Sequence, residues 1–162
     1  MNISAGNTDR RRTAFVSALL FVGIIVAVSL DIGYVTQPGE WYEKLAKPAF
    51  NPPSWVFGPV WTLLYILIAV AGWRIWRIVP RSSAMMLWLA QMVLNWLWSP
   101  IFFGAEAPWL AFAIIVAMLA YIIGFIAIAR KYDRTSAGLF VPYAAWVTFA
   151  TVLNGSIAML NS

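Results

Sequence analysis

The stretch APWLAFAIIVAMLAYIIGFIAIA, residues 107–129, carries no charged side chain and is apolar on every face. A helix packed on the surface of a water-soluble domain keeps one polar face, and this segment has none. As one α-helix rising about 1.5 Å per residue, it is long enough to cross a hydrocarbon layer roughly 30 Å thick. A strand of an outer-membrane barrel would instead alternate apolar and polar positions over about ten residues, and residues 113–129 do not alternate.

Working outward, charge is absent again over residues 13–30, 48–73, 82–105 and 135–162. Each run is long enough for one crossing and too short for two. The expected fold is therefore an all-α membrane protein, a bundle of five transmembrane helices with a structured first loop. Its spans are expected at about 13–35, 55–79, 83–104, 107–130 and 136–160. Residues 1–12 are read as an N-terminal tail and residues 13–162 as a single domain. The connections from span 2 onward are only a few residues long, which makes consecutive spans antiparallel neighbours. Composition agrees: 62% of the 162 residues are hydrophobic and 10% are charged, against about 25% charged in soluble domains.

The charges that remain give an orientation. With five spans, the N-terminal tail and the second and fourth loops share one side. That side holds Arg10, Arg11, Arg12, Arg74, Arg77, Arg81, Arg130, Lys131 and Arg134, nine basic residues, and the other side holds only Lys44 and Lys47. The positive-inside rule then puts the N-terminus in the cytoplasm and the C-terminus outside. The net charge of +5 is thus a topology signal. Nucleic acid is not the expected partner, because the basic residues sit in short clusters at helix ends with no recognition module between them. Attraction to anionic lipid headgroups is the simpler consequence.

Cysteine and histidine are both absent. That removes thiolate chemistry, the usual zinc and haem ligands and the commonest general base, so metalloenzyme and hydrolase readings lose their support. No metal site is expected. An ion-coupled transporter is not supported either, since the chain has no inverted repeat and no buried coupling charges. Asp31, near the outer end of span 1, is the one acidic residue within a span, and a solvated or capping role is favoured over a functional one.

What remains is aromatic and amide chemistry. The first loop runs into span 2 through Trp41, Tyr42, Pro48, Phe50, Asn51, Pro52, Pro53, Trp55 and Phe57. Prolines restrict this backbone, so a folded cap over the outer end of the bundle is expected rather than a tether. Trp41 and Trp55 fit a lid and an interfacial aromatic belt equally well. In span 3, Gln91, Asn95 and Trp98 share a face; in span 5, Tyr143, Trp146, Ala150 and Asn154 do so, and span 2 adds Trp61 and Tyr65. Amides in hydrocarbon need partners, so Gln91, Asn95 and Asn154 either bond between helices or face a ligand. Together these stripes suit a large, flat, mostly apolar ligand. Span 4 differs: Ala113, Ala117, Ala120, Gly124 and Ala127 form a small-residue stripe that lets another helix approach, from the same bundle or from a second subunit.

The run W-Y-x-x-L-x-K-P-x-x-N-P-P-x-W-x-F-x-P-x-W-x-x-L-Y from Trp41 to Tyr65 resembles the TspO/MBR family of tryptophan-rich sensory proteins. So do QMVLNWLWSPIFFG at residues 91–104, PYAAW at 142–146 and FATVLN at 149–154. The resemblance implies a five-helix bundle, often a homodimer, with a pocket under the first loop that binds porphyrins such as protoporphyrin IX or haem. No obligatory cofactor is implied. Carried onto this sequence, the pocket residues are Trp41 in the lid, Trp61 and Tyr65, Asn95 and Trp98, and Trp146 with Ala150. The implied role is a membrane receptor or sensor that regulates tetrapyrrole level or transport. The alternatives are light-dependent porphyrin degradation, with Trp61 and Trp146 as the redox-active side chains, and a porphyrin or sterol transporter.

Two positions depart from the pattern. After Asn154 the chain continues Gly155-Ser156-Ile157 and lacks the Tyr and Arg of the family's sterol motif, so cholesterol recognition is not expected. Ala49 stands where a lid tryptophan is common. A bacterial membrane is implied, with the inner membrane favoured over the outer.

Overall fold

The computed structural model describes residues 3–162, with side chains from residue 12 onward. The described residues form seven α-helices, α1 (Ile3–Val35), α2 (Glu40–Lys44), α3 (Phe57–Ile78), α4 (Ser83–Ser99), α5 (Pro108–Ala129), α6 (Arg134–Leu139) and α7 (Val141–Leu160), of which α2 lies in the first loop and the other six build five spans. Five helical segments are long and apolar enough to cross a membrane, Arg12–Val35, Ser54–Ile78, Ser83–Gly104, Pro108–Ala129 and Arg134–Leu160. The chain is thus an all-α, five-span membrane protein with an ordered first loop. Most of the segment read as an N-terminal tail is the first part of α1; residues 1 and 2 lie outside the described residues.

Prolines account for two breaks in the spans. Pro100 has no N–H to return to the carbonyl four residues back, and residues Pro100–Gly104 widen into a π-turn closed by Ala105 N–H on Pro100 O at 2.8 Å. The fifth span is expected as one helix, but it divides at Phe140, because Pro142 in the first turn of α7 cannot donate to the preceding turn.

Trp88 of α4 reaches across to α3 inside the bundle. The Trp88 indole donates from Nε1 to Ile68 O at 2.9 Å and fills the space that a side chain at Gly72 would take. α5 then packs along α4 and α7, burying Ile115, Met118, Ile122 and Phe125. At one end, Arg74 of α3 makes a two-pronged ion pair with Asp133, 2.7 and 3.0 Å, and Asp133 also caps α6 through the N–H groups of Thr135 and Ser136. This contact closes the basic end of the bundle.

α1 is attached differently. It leans on α3 and α4 at that end, with Phe21 against Trp76 and Trp88, and Trp73 donating to Ser17 Oγ at 3.2 Å. Towards the first loop it crosses to α4, where Trp96 donates to Ser29 Oγ at 2.9 Å and Thr36 Oγ1 meets Ser99 Oγ at 2.6 Å. The first loop is held by its own turns and by Asn161, whose side chain donates to Ala46 O at 3.0 Å and accepts from Ala46 N–H at 2.9 Å. The small-residue stripe of span 4 is divided: Ala113, Ala120 and Ala127 are exposed, whereas Ala117 and Gly124 are half-buried and a Cβ at Gly124 would meet Leu87 of α4 at 3.5 Å.

Candidate functional site

The crossing of α1 leaves a cavity of about 540 Å³ at the first-loop end, between α1, α3, α4 and α7. Its walls are aromatic pairs held by packing within and between helices. Trp61 stacks on Tyr65 one turn along α3, with ring centres 5.3 Å apart. Trp98 stacks on Phe102 at 5.2 Å, brought over it by the widened π-turn. Trp146 of α7 meets Phe57 edge-on at 5.9 Å. Offset and edge-on pairs of this kind fix ring orientation and leave flat faces available for stacking.

Of the residues singled out from sequence, Trp61, Tyr65, Asn95, Trp98, Trp146, Ala150 and Asn154 line this cavity together. Gln91 and Tyr143 do not; they are fully buried behind the wall, and each bonds between helices. Trp41 also stands outside the lining, edge-on to the far side of Phe102 at 5.9 Å, while its neighbour Tyr42 reaches the cavity. Trp55 is 74% exposed, at the surface rather than over the cavity. Asp31 is exposed and takes no part in the lining.

One hydrogen-bond chain fixes the polarity of the wall. Gln91 Nε2 donates to Trp88 O at 2.9 Å, so Gln91 must present Oε1 to Tyr143, whose hydroxyl donates to it at 3.0 Å. Having spent its proton there, Tyr143 can only accept from Asn95, and Asn95 Nδ2 lies 2.8 Å away. The remaining Asn95 group is therefore an acceptor. Asn95 Oδ1 has no partner among the described residues, and neither does the donor Trp146 Nε1, though both are buried. Leaving a buried polar atom unmatched costs about 1–3 kcal/mol, so Asn95 Oδ1 and Trp146 Nε1 are an acceptor and a donor left without partners in residues that line the cavity. Asn154 is not free in this sense: it accepts from Trp98 Nε1 at 3.0 Å and donates to Pro108 O at 2.9 Å, locking the Trp98 ring.

Sequence reading missed the contribution of α1. Ser29, Gly33 and Thr36 line the cavity from one helical face, and their i, i+4, i+7 spacing of small or hydroxyl residues in an otherwise bulky apolar span was the available signal. Phe102 and Phe103 were also missed, because they depend on the π-turn. No group of three or more Asp and Glu side chains that could hold a metal occurs among the described residues.

Comparison with known proteins gives a consistent result. A family model described as the TspO/MBR family matches residues 15–160. The chain is 37% identical over 129 residues to the tryptophan-rich sensory protein of Cereibacter sphaeroides, covering 80% of this chain and 82% of that one. It is 31% identical over 153 residues to the tryptophan-rich protein TspO of Chlorobaculum tepidum, covering 88% and 97%. To the human translocator protein it is 33% identical over 147 residues, covering 82% and 85%.

Proposed function

Since the chain belongs to the TspO/MBR family, we propose that it is a membrane receptor or sensor that binds a porphyrin or a similarly flat, largely apolar ring system in the cavity under its first loop. The observation that carries this reading is the pairing of stacked aromatic walls with two unmatched buried polar atoms, Asn95 Oδ1 and Trp146 Nε1. A planar macrocycle stacks on such walls and is oriented by a donor to Asn95 and an acceptor to Trp146. With no histidine in the chain, the ring is held by stacking and hydrogen bonds rather than by histidine–metal ligation.

In this reading the protein regulates tetrapyrrole level or movement from a bacterial inner membrane, with its N-terminus in the cytoplasm and the cavity on the outer side. The nine-to-two distribution of basic residues supports that orientation. A homodimer forms through the exposed small residues of α5, which let a second copy approach closely.

The test is a titration of the purified protein with protoporphyrin IX, read by tryptophan fluorescence. Saturable quenching is expected, weakened about two- to tenfold by Trp61→Phe and again by Trp146→Phe, the scale of one aromatic contact or one hydrogen bond each. Absence of quenching, or an affinity unchanged in the double variant, refutes the assignment.

A further inference from the structure

A second concavity lies at the opposite end of the bundle, beside the Arg74–Asp133 pair. Ile126, Ala127 and Arg130 share one face at the end of α5, and Arg134, Gly138 and Val141 repeat at helical spacing on the facing side. Two helix faces thus form a groove with an apolar floor and a rim of three cations, Arg130, Lys131 and Arg134.

These cations are exposed, and none has an acidic partner among the described residues, where the ion pairs are Lys44–Glu40 and Arg74–Asp133. Among the side chains described from residue 12 onward, the carboxylate at this end is Asp133. Its oxygens are already occupied by Arg74, by Thr135 N–H and by the N–H and hydroxyl of Ser136. Three like charges are therefore crowded without a counter-charge among the described side chains, at the end of the fourth and fifth spans.

We propose that this groove binds a phospholipid with an anionic headgroup. Its phosphate sits between Arg130 and Arg134 with Lys131 beside it, and its acyl chains lie on Ile126 and Val141. Basic pockets between spans favour anionic headgroups by charge, whereas the ammonium of a zwitterionic lipid is repelled by the same cluster. The apolar floor selects a lipid over a free anion. Gly138 lines the groove, and a Cβ placed there meets no atom within 4 Å, so there is room for a side chain. A larger side chain at this position fills the groove without disturbing the bundle.

The experiment uses the full chain, purified in detergent and offered equal amounts of phosphatidylglycerol and phosphatidylcholine, with bound lipid counted by native mass spectrometry. Phosphatidylglycerol should be retained about tenfold over phosphatidylcholine. Arg130→Gln with Arg134→Gln should abolish that preference, and Gly138→Leu should abolish retention with all charges kept, both at unchanged near-ultraviolet circular dichroism. Equal retention of the two lipids by the native protein overturns the proposal. So does undiminished phosphatidylglycerol retention in the folded variants, or displacement of the lipid by millimolar inorganic phosphate, which would mark a site for free anions.

Discussion

The Trp88 ring occupies the place of a side chain at Gly72: a Cβ built on that glycine falls 2.2 Å from Trp88 Cε2 and 2.5 Å from Cζ2 and Nε1. The same indole donates to Ile68 O, one turn back along α3. Glycine at this position thus lets the Trp88 ring of α4 seat against the α3 backbone. Gly72→Ala is expected to destabilise the bundle by about 1–3 kcal/mol through overpacking, despite the better helix propensity of alanine. Thermal unfolding in detergent measures this. Because the cost is a clash with one ring, Gly72→Ala combined with Trp88→Leu should lose less than the sum of the two single changes. Additive losses would place the cost elsewhere.

The Asp133 carboxyl gives the fold an acid-sensitive latch outside the spans. The hydrogen bonds from Arg74 hold it well below the usual carboxylate range; burial works in the opposite direction, and Ser136 adds to the lowering. A group depressed in the folded state stabilises above its unfolded pKa of about 3.9, and that stabilisation is lost as pH falls through the folded value. The melting temperature should therefore be flat from neutrality to about pH 5 and decline only below about pH 4. Asp133→Asn keeps the helix cap and loses the ion pair, costing about 1 kcal/mol at neutral pH and flattening the acid limb. Asp133→Ala removes the cap as well, for about 1 kcal/mol more. Equal melting temperatures for Asn and Ala would show that the cap contributes nothing.

Glu106 turns the chain from the π-turn into α5 with φ 52°, the left-handed region that a β-carbon disfavours. Its side chain is exposed, so little is lost by removing it. Glu106→Gly should raise stability by about 0.5–1 kcal/mol, and Glu106→Val should lower it, since a branched side chain is least tolerated there. Paired melting curves of the two variants test the sign of each.

Five spans were legible because charge is scarce and its gaps match a bilayer, a constraint that leaves backbone groups few alternatives. The cavity was legible in part, through stripes whose helical spacing survived in α3, α4 and α7. Its α1 wall was not, because Ser29 and Thr36 acquire meaning only from the crossing that pairs them with Trp96 and Ser99. Tryptophan content alone was ambiguous for a similar reason. Trp61, Trp98 and Trp146 line the cavity, whereas Trp73 and Trp88 are struts whose N–H groups tie neighbouring helices. Tyr143 and Gln91 share the faces of true lining residues yet sit one layer behind them, a distinction of depth that periodicity does not encode.

That hidden layer yields the most specific expectation about binding. Gln91 touches no part of the cavity, but its bond to Trp88 O sets the direction of the Gln91–Tyr143–Asn95 chain and so makes Asn95 present Oδ1. Gln91→Met keeps the side-chain volume and frees the Tyr143 proton, for which Asn95 Oδ1 is a stronger acceptor than Met118 Sδ at 3.4 Å, so the Asn95 amide turns and Nδ2 takes the unmatched position. A ligand that donates to Asn95 should then bind about two- to tenfold more weakly, the worth of one hydrogen bond, while one held by stacking alone should be unaffected. Tyr143→Phe removes the relay and should weaken the same ligand, with a loss of stability from stranding Gln91 Oε1 and Asn95 Nδ2. Protoporphyrin IX titrations of both variants, each with its melting curve, separate the two effects. An unchanged affinity in Gln91→Met at an unchanged melting temperature would mean that the orientation of Asn95 does not govern recognition.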